Sequence, residues 1–301
     1  VKVGLTKICD VIGYKIIHEK KYDIDGQLIF RGYPINYLVN KQPSDKICGF
    51  EETAYLLIFG TLPNAEQLKE FKDYLLNFKM GPVDLQYETP NILNALQIEV
   101  LKLYAKDPSA DTDDLEERMM KGLNILASIP LFTFSYARNK VFKSYPYPDR
   151  SLAENILCMA RGNDQYTFEE AKIMDTLLMV HADHGGGNNS TFANVVISST
   201  GTDIYSCISA AIGSLKGPKH GGANCKVTNM FNAIFHEVGF TTDKTTLKKI
   251  ANRLLDKDFF DHSGLIYGIG HAIYTKSDPR ALLIQKQCKI LAKYKGQEEI
   301  Y

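Results

Sequence analysis

The sequence holds no tryptophan, no net charge and no Cys-x-x-Cys pair. Lysine plus arginine and aspartate plus glutamate balance at 35 each, so no basic field exists to hold a phosphate backbone or an acidic bilayer surface. That excludes nucleic acid as the main partner. Long hydrophobic runs are missing too. Stretches such as residues 54–59 fall far short of a bilayer span and no apolar signal segment follows a basic start, so no membrane protein is expected. The six cysteines (Cys9, Cys48, Cys158, Cys207, Cys225 and Cys288) are scattered, which fits free thiols in a reducing compartment better than a disulfide frame. A cytoplasmic protein is expected. What is present is core material: 301 residues at 45% hydrophobic and 23% charged suffice for one large domain or two modest ones.

Strand signals are confined to the first thirty-five residues, where β-prone runs at 14–17 and 27–30 flank a stretch containing Asp25-Gly26 and predict a small hairpin. Helical periodicity then takes over, with Phe50, Ala54, Leu57 and Ile58 on one face and Gly60 as a stop. Asn64 with Gln67, Ser151 with Glu154 and Thr167 with Glu170 each have capping-box spacing and predict helix starts. Further helices are expected over 91–104, 113–139 (interrupted near Pro130), 190–199, 204–215, 223–237, 245–255 and 280–294. The expected fold class is mostly α, a multi-helix bundle with a short N-terminal β-hairpin.

Three segments set histidine beside glycine: residues 181–188 (HADHGGGN), 217–224 (GPKHGGAN) and 268–274 (GIGHAIY). Glycine lets a ligand approach the main chain, and a neighbouring imidazole exchanges protons near neutral pH. One such histidine alone is most simply a cap or a core residue; three in one chain point to a site. His181 and His184 stand at i and i+3, but no third ligand follows at tight spacing, so no metal is expected. Gly268-x-Gly270 lacks the βαβ setting of a dinucleotide loop, and His236-Glu237 lacks the second histidine of a zinc protease.

Taken together, HADH with its glycine turn and Ser190-Thr191-Phe192, then residues 215–224 (LKGPKHGGAN), then 270–280 (GHAIYTKSDPR) resemble the citrate synthase family in order and spacing. The match extends upstream to residues 31–35 (RGYPI) and 50–60 (FEETAYLLIFG) and covers essentially the whole chain. One departure is Gly185, where many members carry Glu. The resemblance implies a large helical domain over 1–222, an incomplete small domain over 223–301, and a homodimer. It implies condensation of acetyl-CoA with oxaloacetate to citrate, with acetyl-CoA as co-substrate and no permanently bound cofactor. The same motifs serve propionyl-CoA and 2-methylcitrate, and a non-catalytic oxaloacetate- or CoA-binding module stands as the reading from another class. By resemblance, His220 holds the thioester carbonyl and His271 donates to the oxaloacetate ketone. His184, Arg280 and Asn188 bind substrate, and Leu265, Ile266, Tyr267, Gly268, Ile269 and Gly270 form the backbone strip for CoA. The family's aspartate base and a later Gly-Trp segment have no counterpart within these residues, so a chain cut at both ends, inactive by itself, is expected.

Overall fold

The computed structural model describes residues 6–81, 83, 85 and 89–299. Strands β1 (Cys9–Ile17) and β2 (Lys20–Phe30) pair antiparallel, and β3 (Tyr33–Pro34) adds a short third strand in the order β1-β2-β3. The chain does not reverse at Asp25-Gly26. It reverses at His18 and Glu19, whose φ angles of 48° and 63° are those of a primed two-residue turn, although neither residue type advertises one. Asp25 and Gly26 lie inside β2 at a bulge, because the register passes from Ile12↔Gln27 to Tyr14↔Asp23 and leaves Gly13 alone opposite residues 24–26.

Helices follow as α1 (Ile35–Asn40), α2 (Gly49–Phe59), α3 (Ala65–Leu76), α4 (Ile92–Lys106), α5 (Leu115–Arg138), α6 (Leu152–Arg161) and α7 (Phe168–His181). Then come α8 (Asn189–Ser198), α9 (Ile204–Leu215), α10 (Ala223–Val238), α11 (Lys244–Leu255) and α12 (Pro279–Tyr294). The mostly helical class is as expected. All three capping boxes form, with the Asn64, Ser151 and Thr167 side chains each accepting from the backbone N–H three residues on. The interruption expected near Pro130 is absent, since α5 runs unbroken through it. Burying the neighbouring Leu131 and Phe132 is worth roughly 1.5–3 kcal/mol apiece, which offsets the ~3 kcal/mol that an internal proline costs. The six-residue α1 went unpredicted because it is too short to show a period, yet its Ile35 and Leu38 are fully packed.

The main apolar cluster joins Phe30, Leu38, Leu56, Phe132 and Met179 with Leu283 of α12, which packs on α7. A separate cluster holds Met230 of α10 and Ile250 and Leu254 of α11, with Ile266 and Tyr267 packed against it. Leu283 thus packs with the main cluster, while α10 and α11 build the second. Among the described residues no helix is long and apolar enough to cross a membrane.

Two acids sit inside the main cluster's walls. Glu51 is fully buried and accepts from the Leu152 N–H at 2.7 Å, while Asp175 accepts from the N–H groups of Gly49 (3.0 Å) and Phe50 (2.8 Å) at the start of α2. Burial pushes both carboxyls up from their ordinary values, and the Asp175 charge raises Glu51 further. A carboxyl raised in the folded state stabilises the fold below its unfolded value and loses that contribution as pH rises through the folded one. His184 and His271, both depressed, tilt the total pH curve the other way, so the diagnostic quantity is a difference between variants. The Glu51→Gln protein is expected to gain stability relative to wild type between pH 5 and pH 8, by on the order of 1 kcal/mol per pH unit where Glu51 titrates. Urea melts of both proteins across that range check it; a difference that stays flat would show that Glu51 does not titrate there.

Candidate active site

The first histidine segment links α7 to α8. Its Asn188 is the N-cap of α8, and the side-chain oxygen accepts from Ser190 N–H at 2.8 Å and Thr191 N–H at 3.2 Å. The residue expected to touch substrate is thus also engaged in capping. Gly185 has a φ of +73°, and a side chain there would press within 3.3 Å of the Cys9 carbonyl and the Val11 methyl. The glycine that departs from the family pattern is therefore favoured by its positive φ, and β1 leaves little room beside it. His181 Nδ1 donates to the Leu177 carbonyl at 2.7 Å, which fixes the ring proton on that nitrogen.

His184 lies partly buried with Nδ1 at 3.2 Å from Arg280 Nη1. A guanidinium can only donate, so Nδ1 is the acceptor and the ring proton sits on Nε2. Burial, then the positive field of Arg280 and His271, pushes this imidazole down to about 4 and keeps it neutral at physiological pH. The His271 ring stands edge-on to it at 5.0 Å between centroids and stacks on Tyr274 at 4.8 Å. His271 Nδ1 accepts from two backbone N–H groups, Ile273 and Tyr274, both at 3.1 Å. Its proton must then be on Nε2, leaving a donor free for a ligand. Burial and Arg280 lower His271 as well, with Asp278 opposing. Arg280 opens α12, whose N-cap Asp278 holds the guanidinium at 2.7 Å. Burial works against the Arg280 charge, but the Asp278 contact outweighs it and raises its pKa.

His220 occupies the turn between α9 and α10, with Nε2 at 3.1 Å from Ser190 Oγ. A side chain on Gly221 would meet the Leu215 carbonyl at 2.7 Å, and one on Gly222 the Lys216 carbonyl at 2.8 Å. These glycines let the turn fold back on the end of α9. Between the two turns lies a cavity of about 280 Å³ lined by Asp183, His184, Asn188, Ser190 and His220 on its polar side and by Ile208, Ala211, Ile212 and Leu215 on its apolar side. A larger one, about 700 Å³, opens beside Asp107, Lys121 and Tyr205 and contains no histidine.

The structure thus gathers His184, His271 and Arg280 in one cluster, with His220 across the cavity from His184. Leu265, Ile266, Tyr267, Gly268, Ile269 and Gly270 do not line that cavity. Ile266 and Tyr267 pack into the α10–α11 cluster, while Leu265 and Ile269 are exposed. Ser190, Tyr274 and Asp278 were not singled out by sequence as parts of the site, because their contribution is contact with a histidine or arginine far along the chain. Chemically, the arrangement offers neutral imidazole donors and one guanidinium, a set suited to holding carbonyl oxygens and a carboxylate.

A family model described as "Citrate synthase, C-terminal domain" matches residues 1–301. The chain belongs to the citrate synthase family. It is 34% identical over 295 residues to the citrate synthase of Haloferax volcanii, covering 92% of this chain and 71% of that protein. It is 31% identical over 287 residues to 2-methylcitrate synthase 1 of Corynebacterium glutamicum, covering 91% and 70%. Among solved structures, the citrate synthase of Thermotoga maritima superposes with a TM-score of 0.71 at 27% identity, over 98% of this chain and 71% of that one. The Thermoplasma acidophilum citrate synthase, solved as a ternary complex with carboxymethyl coenzyme A and oxaloacetate, shares the fold with a TM-score of 0.72 at 23% identity, over 99% and 72%.

Proposed function

We propose that this chain carries the greater part of a citrate synthase active site, condensing acetyl-CoA with oxaloacetate to citrate and CoA through an enol or enolate and then hydrolysing the thioester. The observation that carries the proposal is His184, which lines one small cavity with His220 and is itself in contact with both Arg280 and His271. His220 holds the thioester oxygen as negative charge develops on it. His271, with its proton on Nε2, donates to the ketone of oxaloacetate and makes that carbon more electrophilic. Arg280 and His184 bind a carboxylate, and the strip 265–270, exposed at Leu265 and at 268–270, receives CoA. Acetyl-CoA enters as co-substrate, and the chemistry calls for no resident cofactor.

Residues 1–222 are proposed as the large helical unit and residues 223–301 as the smaller one, with α10 and α11 in it. A homodimer is proposed through α8, which buries no residue and leaves Phe192, Val195 and Val196 exposed. The unpaired thiols support a cytoplasmic setting.

Propionyl-CoA is the second reading, favoured by the 2-methylcitrate synthases among the relatives at similar identity. Initial rates of oxaloacetate-dependent thiol release by the native protein on the two thioesters separate the substrates. No oxaloacetate-dependent release from either would overturn the enzyme and leave a binding module.

Arg280→Lys tests the anion clamp. A lysine keeps the charge but cannot form the planar fork that reaches Asp278 and His184 together. The KM for oxaloacetate is expected to rise by roughly ten-fold or more while that for the thioester changes little. Equal weakening of both substrates would assign Arg280 to the fold instead.

A further inference from the structure

The outer end of the N-terminal hairpin stands away from the core: residues 14–23 are all exposed. Its middle is different, because there it grips the loop that follows His271. At the bulge, Gly13 has no side chain to block the Ile273 carbonyl, which a Cβ would overlap, and Gly26 likewise leaves room for the Ser277 carbonyl. A Cβ on Gly26 would also meet the Tyr274 ring at 2.6 Å. The Gly26 N–H donates to the Ser277 carbonyl at 3.1 Å, Ser277 Oγ donates to Asp25 Oδ1 at 3.0 Å, and the Tyr274 hydroxyl donates to the Gln27 carbonyl at 3.0 Å. Both ends of the stretch 273–277 are thereby fastened to the hairpin. The same stretch supplies the Ile273 and Tyr274 N–H groups that point at His271 Nδ1.

We propose that the bulged middle of the hairpin is a positioning element for His271: Gly13, Asp25, Gly26 and Gln27 hold residues 273–277 so that their N–H groups keep Nδ1 as acceptor and Nε2–H facing outward. The role of Nε2–H as donor to a ketone rests on the function proposed above; the control of the ring by the hairpin rests on geometry alone. The bulge is the device. A regular register would place side chains of β1 and β2 where the loop backbone now lies, and a bulge beside a site re-aims the chain locally. Because donor geometry at the reacting atom is steep, a displacement on the order of 1 Å costs catalysis far more than it costs the fold.

The test uses the native protein with ¹⁵N-labelled histidine, the His271 ring being assigned with a His271→Gln variant. In wild type the ring is expected as a single Nε2–H tautomer. Gly26→Ala is expected to lower kcat by about ten-fold or more, to leave KM for the thioester nearly unchanged, and to mix the His271 tautomers. Asp25→Asn keeps an oxygen acceptor for Ser277 and is expected to retain the activity that Asp25→Ala loses. An unchanged kcat in both Gly26→Ala and Asp25→Ala overturns the proposal, and so does a fall in kcat with the His271 tautomer undisturbed. If Gly26→Ala does not fold, the Asp25 pair decides, and equal behaviour of Asn and Ala refutes the positioning role. If wild type shows no oxaloacetate-dependent thiol release, the proposed function falls separately. The tautomer then decides alone: mixing in Gly26→Ala upholds the hairpin's control of His271, and no change overturns it.

Discussion

Replacing His271 by alanine in the native protein is expected to lower kcat by about 10²–10⁴-fold, the range of a positioned acid or hydrogen-bond donor, while acetyl-CoA still binds. The effect is large because the neighbouring groups are engaged in other contacts. His184 has its Nδ1 committed to Arg280 and its pKa pushed down to about 4, Tyr274 donates its hydroxyl to the Gln27 carbonyl, and Arg280 is tied to Asp278. The donor is also preorganised, since two N–H groups at 3.1 Å set the tautomer before substrate arrives. Steady-state kinetics with a separate measurement of thioester binding checks this. A kcat within a few-fold of wild type, or a loss confined to KM, would remove His271 from the chemical step.

The 301-residue polypeptide by itself is expected to give no thiol release from acetyl-CoA and oxaloacetate above background, whereas a form extended to the length of its relatives turns over. Removing a methyl proton needs a free carboxylate or comparable base aimed at that carbon. Asp278 is locked onto Arg280 and caps α12, and its pKa is lowered by those contacts against the opposing effect of burial. Asp183 is the single carboxylate lining the cavity among the described residues, and its Oδ1 accepts from the Gly185 N–H at 2.8 Å. Asp278 is therefore committed, and Asp183 has one of its two oxygens engaged. A thiol assay on both forms, with circular dichroism to establish helical folding of each, tests the claim. Turnover by the short form would refute it and would make Asp183→Asn the next variant to assay.

Local rules carried the sequence far in the helical part. Capping boxes at Asn64, Ser151 and Thr167 were legible because both partners lie within four residues, and their hydrogen bonds form whatever the rest of the chain does. The same locality misled at two places. Pro130 signals a break that the packing of Leu131 and Phe132 overrides, and Asp25-Gly26 signals a turn that the pairing of β1 with β2 moves to His18-Glu19. In both cases a weak local preference met burial or pairing worth as much or more.

By itself, the sequence determined the helical class, the helix starts and the three histidine turns, since these depend on period, capping and residue type within short windows. Only the tertiary structure decided which groups meet. Arg280 reaches His184 across 96 positions, Ser190 reaches His220 across 30, and Ser277 reaches Asp25 across 252. No window of sequence contains both members of such a pair, and the proton on each imidazole follows from the partner the fold supplies. That is why the histidines could be named from the chain alone, while the state of His184 and His271 and the hairpin's hold on the His271 loop became visible only once the core had brought the segments together.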